Sequence, residues 1–198
     1  MIRIKRTAFL TAFLIFGFVS VAQKAQISID DIYVKHKFSP ERVWGLRSMN
    51  NGDSYTTVQN SKNGQEIVRF SYASGDSIET IFSTAMLKAP FEFDEYTFSA
   101  DESQIMFTTD VENIYRHSTR ENVWVFNLKS NKLTQVSVNG KQRYTTFSPD
   151  GKKVAFVRDN NLFIYDLKSN KETAVTNDGE FNHIINGATD WVYEEEFG

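Results

Sequence analysis

The chain has no cysteine and only three prolines among its 198 residues. The first absence excludes a disulfide framework, a catalytic thiol, a zinc–cysteine site and an iron–sulfur cluster, so any folded domain must be held by core packing alone. Positive charge is not in excess either. A net charge of −3 leaves no basic stripe to neutralise phosphates, and no nucleic-acid partner is expected. There is no glycine-rich phosphate loop and no low-complexity tract. His36, His117 and His183 are scattered without metal-ligand spacing, so neither a metal nor another cofactor is expected. A Gly-x-Ser-x-Gly nucleophile elbow is also missing. Ser54 and Ser77 each follow Gly-Asp, but Thr56 and Glu79 stand where the second glycine would fall. No catalytic residue is assigned, and this stretch by itself is expected to be inert.

What the chain does have is aromatics: seventeen Phe, eight Tyr and three Trp, an enrichment that favours strands over helices. Its first residues read as a targeting segment. Arg3, Lys5 and Arg6 precede the apolar run Thr7 to Val21, and Ser20-Val21-Ala22 supplies small residues at a cleavage site. The run is about 15 residues long, short of the ~20 a membrane-spanning helix needs. Residues 1–22 are therefore expected to be a cleaved signal peptide, with an uncleaved membrane anchor as the alternative. The mature protein is expected to be exported, to the periplasm or the cell surface. Residues 23–43 read as a lead-in, with Ser28-Ile29-Asp30-Asp31-Ile32 as a capped turn or brief helix.

From Trp44 onward short alternating strands are separated by Asn, Gly, Asp and Ser, and a repeat is visible. Tyr144-Thr-Thr-Phe147-Ser148-Pro149-Asp150-Gly151 leads into Val154-Ala155-Phe156-Val157. Tyr96-Thr-Phe98-Ser99-Ala100-Asp101 leads into Ile105-Met106-Phe107 in the same way, and Ser48 to Val58 is a weaker copy. Aligned on Ser48, Ser99 and Ser148, the copies lie about 50 residues apart. Each is closed by a second hairpin, such as Val123 to Phe126 before Lys129-Ser130-Asn131-Lys132, and Leu162 to Tyr165 before Lys168-Ser169-Asn170-Lys171. Four strands per repeat predict an all-β fold: an incomplete β-propeller of about three four-stranded blades over residues 44–198, behind the signal peptide. A meander or sandwich with a chance spacing is the competing reading. Propellers close with about four to eight blades, so three predict a longer parent array.

Two features interrupt the repeat. The middle copy carries about ten extra residues, Val111 to Arg120, read as a loop bearing Tyr115, Arg116, His117 and Arg120. An arginine fork suits a carbonyl or carboxylate oxygen, although Arg116 could equally pair with Glu112 or Glu121 on a solvated loop. The second feature is Asp190-Trp191-Val192-Tyr193-Glu194-Glu195-Glu196-Phe197, which does not alternate and reads as a loop with one helical turn. Three adjacent carboxylates anchored by aromatics suit a small cation such as the free amino terminus of a peptide. A solvated acidic face is the plainer alternative. The spaced oxygen ligands of a calcium loop are missing.

The run Asn186-Gly187-Ala188-Thr189-Asp190-Trp191-Val192-Tyr193-Glu194-Glu195-Glu196 resembles the double-glutamate segment of the dipeptidyl peptidase IV family, serine exopeptidases of the prolyl oligopeptidase superfamily. Tyr115-Arg116-His117-Ser118 resembles that family's arginine segment. The resemblance implies an eight-bladed propeller followed by an α/β-hydrolase domain carrying the triad. It also implies release of X-Pro, and less readily X-Ala, dipeptides from peptides with a free amino terminus, and a working homodimer. Carried over residue by residue, Glu195 and Glu196 would hold the substrate's α-amino group and Arg116 the carbonyl of its second residue. Glu194 would be a neighbour without that role. Such a site would be a ruler, gripping the amine at a fixed distance from the nucleophile so that only the second peptide bond reaches it. A non-enzymatic exported propeller that binds peptides or proteins is the alternative. A sister peptidase removing tripeptides is a third, more distant one.

Overall fold

A computed structural model describes residues 26–40, 43–62 and 64–197. The expected signal peptide, residues 1–22, lies outside the described residues. The chain divides into two units, Met1–Arg42 and Val43–Gly198. In the first, helix α1 (Ile29–Tyr33) is set by a capping box. The Asp31 amide donates to Ser28 Oγ at 3.0 Å and the Ser28 amide donates back to Asp31 at 3.2 Å, satisfying two helix-end donors at once. Among the described residues no helix is long and apolar enough to cross a membrane.

The second unit is built from three four-stranded antiparallel sheets, each a meander in chain order. The first blade comprises β1 (Arg47–Ser48), β2 (Ser54–Ser61), β3 (Gly64–Ser71) and β4 (Ser77–Ser83). The second comprises β5 (Glu95–Phe98), β6 (Gln104–Asn113), β7 (Thr119–Asn127) and β8 (Lys132–Gln135). The third comprises β9 (Arg143–Phe147), β10 (Lys153–Arg158), β11 (Asn161–Asp166) and β12 (Lys171–Ala174). The repeat seen in the sequence is therefore three propeller blades.

The repeat is carried by the chemistry of its first turn. In the third blade Ser148 Oγ donates to Asp150 at 2.6 Å and accepts from the Lys153 amide at 3.0 Å. In the second, Ser99 Oγ does the same with Asp101 at 2.7 Å and the Gln104 amide at 3.0 Å. Each turn closes through a residue in the left-handed region: Gly52 (φ 73), Glu102 (φ 55) and Gly151 (φ 66). The turns also link neighbouring blades. Asn50 Nδ2 donates to the Ala100 carbonyl at 2.8 Å, and one blade on, Gln104 Nε2 donates to the Gly151 carbonyl at 2.7 Å.

Strand alternation sends the middle blade's side chains to both neighbours. Ile105, Phe107 and Phe126 join Ile67, Phe82, Phe93 and Tyr96 in an aromatic core against the first blade. Phe82 lies 4.7 Å from Phe107 and 4.8 Å from Phe126, ring centre to ring centre. Met106, Val123 and Val125 turn the other way and pack on Val154, Phe156 and Tyr165 of the third blade. With both faces covered, Ile105, Met106 and Phe107 of β6 and Val123, Val125 and Phe126 of β7 are buried.

The ten-residue insertion differs from its expectation as a loop. Half of it prolongs β6 and β7 beyond the blade, with Glu112 opposite Arg120 and Asn113 opposite Thr119 after a bulge. Only the tip, Ile114 to Ser118, turns, closed by the Ile114 amide donating to the Ser118 carbonyl at 2.8 Å. The protruding part of β6 is exposed, so its strands lack the apolar alternation that marks a buried strand in sequence.

Candidate functional site

After β12 the chain passes the β10–β11 turn of the third blade before it reaches the acidic run. The Asn186 amide donates to the Asn160 carbonyl at 3.0 Å. Gly187 follows at φ 76, where a Cβ would lie 2.8 Å from Val157 Cγ2. Only glycine allows both that backbone conformation and that approach to the blade. The acidic run then begins a short helix, α2 (Trp191–Glu195). Asp190 is its N-cap, accepting from the Val192 and Tyr193 amides at 2.9 and 3.2 Å. Five residues do not make a stable helix on their own, so its position is set by what its side chains grip.

Successive residues on a helix turn by ~100°, and the three glutamates leave α2 in three directions. Glu194 reaches β9: Arg143 donates one terminal nitrogen to both carboxylate oxygens at 2.6 and 2.9 Å, and the Tyr144 hydroxyl donates to one of them. Glu195 enters the tip of the β6–β7 hairpin. Only 4% of it is exposed, and it accepts from the His117 amide at 2.9 Å, the Ser118 amide at 3.0 Å and Ser118 Oγ at 2.7 Å. Burial pushes the Glu195 carboxyl up, and the Ser118 hydroxyl with the two amides more than offsets it, holding the group below its usual range. Glu196 meets Arg116, whose guanidinium donates to its carboxylate at 3.1 Å and to the Glu195 carbonyl at 2.8 Å.

The three candidate residues Arg116, Glu195 and Glu196 thus converge, although about 80 residues separate the arginine from the glutamates. Neither of the alternative partners weighed for Arg116 takes it, since Glu112 pairs with Arg120 and Glu121 accepts from Thr119. Arg116 and Glu196 keep 63% and 49% of their side chains exposed. An ion pair this open contributes about 0–1 kcal/mol, so a ligand can rearrange it at little cost. Glu195 keeps part of its acceptor capacity, because an ionised carboxylate offers about four lone-pair sites and three are engaged. Aromatics frame the acidic group: Tyr115 meets Trp191 edge-on at 6.4 Å, and Tyr193 lies 5.7 Å from Phe197.

Sequence reasoning missed five donors: the amides of His117 and Ser118, the Ser118 hydroxyl, and the side chains of Arg143 and Tyr144. The first three lie beside Arg116 in the insertion, but a backbone donor has no sequence signature. Arg143 did carry a signal, a positive charge five positions before the turn serine, where the middle copy has Asp94. Between the hairpin and the third blade opens a cavity of about 790 Å³ whose lining includes Arg120, Lys141, Arg143 and Arg158. Each of these cations is paired, with Glu112, Asp110, Glu194 and Glu172 in turn, so the cavity presents no spare positive charge.

Comparison with known proteins places the chain in a family. A crystal structure of Porphyromonas gingivalis dipeptidyl peptidase 4 is 41% identical and superposes with a TM-score of 0.72, covering 88% of this chain and 25% of that one. The probable dipeptidyl-aminopeptidase B of Chaetomium globosum is 30% identical over 63% of this chain and 14% of its own length. Dipeptidyl peptidase 4 of Sus scrofa is 28% identical over 68% of this chain and 18% of its own. The chain spans a quarter or less of each of these proteins. The family model described as the dipeptidyl peptidase IV N-terminal region matches residues 99–198, half of the chain and a stretch that takes in Arg116 and all three glutamates. The chain belongs to that family, as the N-terminal part of its β-propeller.

Proposed function

We propose that this segment is the substrate-amino-terminus recognition part of an exported serine dipeptidyl peptidase that releases X-Pro and X-Ala dipeptides. Its partners would be peptides with a free amino terminus, and the full-length protein would work as a homodimer in the periplasm or at the cell surface. One observation carries the reading: Arg116 on one blade and Glu195 and Glu196 after the next meet at a single corner, where Arg116 and Glu196 stay open to solvent. There Glu195 and Glu196 take the α-amino group of the substrate, and Arg116 turns its planar fork to the carbonyl of the second residue. Charge-assisted contacts to an ammonium are strong where water is partly excluded. These residues position the substrate, and bond cleavage belongs to a nucleophile supplied from elsewhere in the full-length protein.

The test is steady-state kinetics of the full-length protein on a chromogenic X-Pro substrate. Glu196→Gln keeps the shape of the side chain and removes its charge. One charge-assisted contact is worth ~1.5–3 kcal/mol, so kcat/KM should fall about 10- to 150-fold. Arg116→Lys should also lower it, because a point charge does not reproduce a planar fork. Wild-type kinetics in both variants would return the pair to the status of a surface ion pair.

A further inference from the structure

Glu194 has no part in gripping substrate in the reading above, yet two side chains of β9 hold its carboxylate. Its carboxylate is only 14% exposed, and Arg143, at 22%, is half-buried with it. Both of its partners come from adjacent positions of β9. In a regular strand adjacent side chains point to opposite faces, so Arg143 and Tyr144 could not both reach one carboxylate.

A β-bulge makes it possible. Along β9 and β10, Phe147 faces Val154 and Thr146 faces Ala155, but Arg143 faces Val157. Three steps on β9 therefore oppose two on β10, and the extra residue re-aims the strand. Tyr144 sits at φ 52, in the left-handed region a tyrosine rarely adopts. The Arg143 guanidinium comes to lie 4.8 Å from the Tyr144 ring centre, so both side chains leave on one side. The middle blade has no such irregularity: Glu95, Tyr96, Thr97 and Phe98 face Thr108, Phe107, Met106 and Ile105 in unbroken register. The bulge is thus no part of the repeat, and it occurs where α2 docks. Burial and the Glu194 carboxylate push the Tyr144 hydroxyl up to about 12, against the pull of Arg143, so it remains a donor throughout the neutral range.

We propose that Arg143 and Tyr144 are positioning residues: by clasping Glu194 through the β9 bulge they fix the orientation of α2, and with it the placement of Glu195 and Glu196 against a substrate's amino group. This rests on the functional reading above. The clasp ties α2 to the third blade while Glu195 ties it to the hairpin of the second, so the two glutamates are held between blades. Loss of either tie lets a five-residue helix shift, and a misplacement of ~1 Å costs a substrate about 100-fold when its position decides reaction.

The test uses the full-length protein and Arg143→Gln, Glu194→Gln, the double variant, and Arg143→Lys. The assays are hydrolysis of a free-amine X-Pro substrate and labelling of the nucleophilic serine by a fluorophosphonate that carries no amino group. Arg143→Gln and Glu194→Gln should each lower kcat/KM about tenfold or more, chiefly through KM. The double variant should be no worse than either single one, Arg143→Lys should recover part of the loss, and fluorophosphonate labelling should keep its wild-type rate. Wild-type KM in the single variants, or a parallel loss of substrate turnover and labelling, would overturn the inference. If the wild type releases dipeptides and Glu196→Gln impairs it, that failure belongs to the inference alone. A wild type that releases no dipeptides would overturn the functional reading and the inference together.

Discussion

Three neighbouring glutamates of identical chemistry do three different things here, and the difference lies in what each one meets. Glu194 is clasped by β9, Glu195 is buried in the hairpin tip, and Glu196 stays half in solvent beside Arg116. The buried one makes the sharpest prediction at this scale. Glu195→Gln removes the charge that the His117 and Ser118 amides and the Ser118 hydroxyl donate to. Hydrogen exchange at those two amides should then quicken by roughly tenfold, the effect of one charge-assisted bond, while amides in the centre of β6 and β7 keep their rates. Unchanged exchange at His117 and Ser118 would mean that Glu195 does not hold the tip. The identity of the acidic group, and of Arg116 as its complement, was legible in the sequence through resemblance to a known segment. The division of labour was not, because each step along a helix turns the next side chain by ~100° and the partners lie 50 to 80 residues away.

At the scale of elements, the turn that opens each blade combines legibility with a titratable consequence. Ser148-Pro149-Asp150-Gly151 and Ser99-Ala100-Asp101-Glu102 were readable as turns because serine, aspartate and glycine each have a local role there. The Ser148 hydroxyl and the Lys152 amide hold the Asp150 carboxyl down to about 2 from 3.8, and Ser99 and Ser103 lower Asp101 in the same way. A folded-state value below the unfolded one contributes stability above pH 3.8, and that contribution disappears as pH falls toward 2. Ser148→Ala should therefore lower Tm by a few degrees at pH 7 and flatten the fall of Tm between pH 4 and 2. An acid profile parallel to wild type would show that the hydroxyl does not set the Asp150 carboxyl. Two elements escaped the sequence reading for opposite reasons. The hairpin arms beyond the blade read as a loop in the sequence because both sides of them meet water, which erases the period of two. The β9 bulge was present in the text, as Tyr144-Thr145-Thr146-Phe147-Ser148 against Tyr96-Thr97-Phe98-Ser99, one residue longer. Its meaning needed the register and the Glu194 carboxylate to appear.

For the molecule as a whole, the repeat of about 50 residues specified three blades, because each blade must turn apolar residues to both neighbours and the alternation is written into β6 and β7. What the repeat could not reveal is that α2 straps two blades together. Glu195 pins it to the second, Glu194 to the third, and Glu196 is left at the surface next to Arg116. In the function proposed above, that arrangement is an amine receptor on a rigid scaffold, and the family assignment supplies the context in which such a receptor would act as a ruler. The most direct measurement is therefore a comparison of two X-Pro substrates on the full-length protein, one with a free amino terminus and one acetylated there, in the wild type and in Glu196→Gln. The account predicts that acetylation abolishes most of the wild-type kcat/KM and that Glu196→Gln loses activity only toward the free amine, narrowing the gap between the two substrates. Equal turnover of free and acetylated substrates by the wild type would contradict it, since the carboxylates would then have no amino group to measure from.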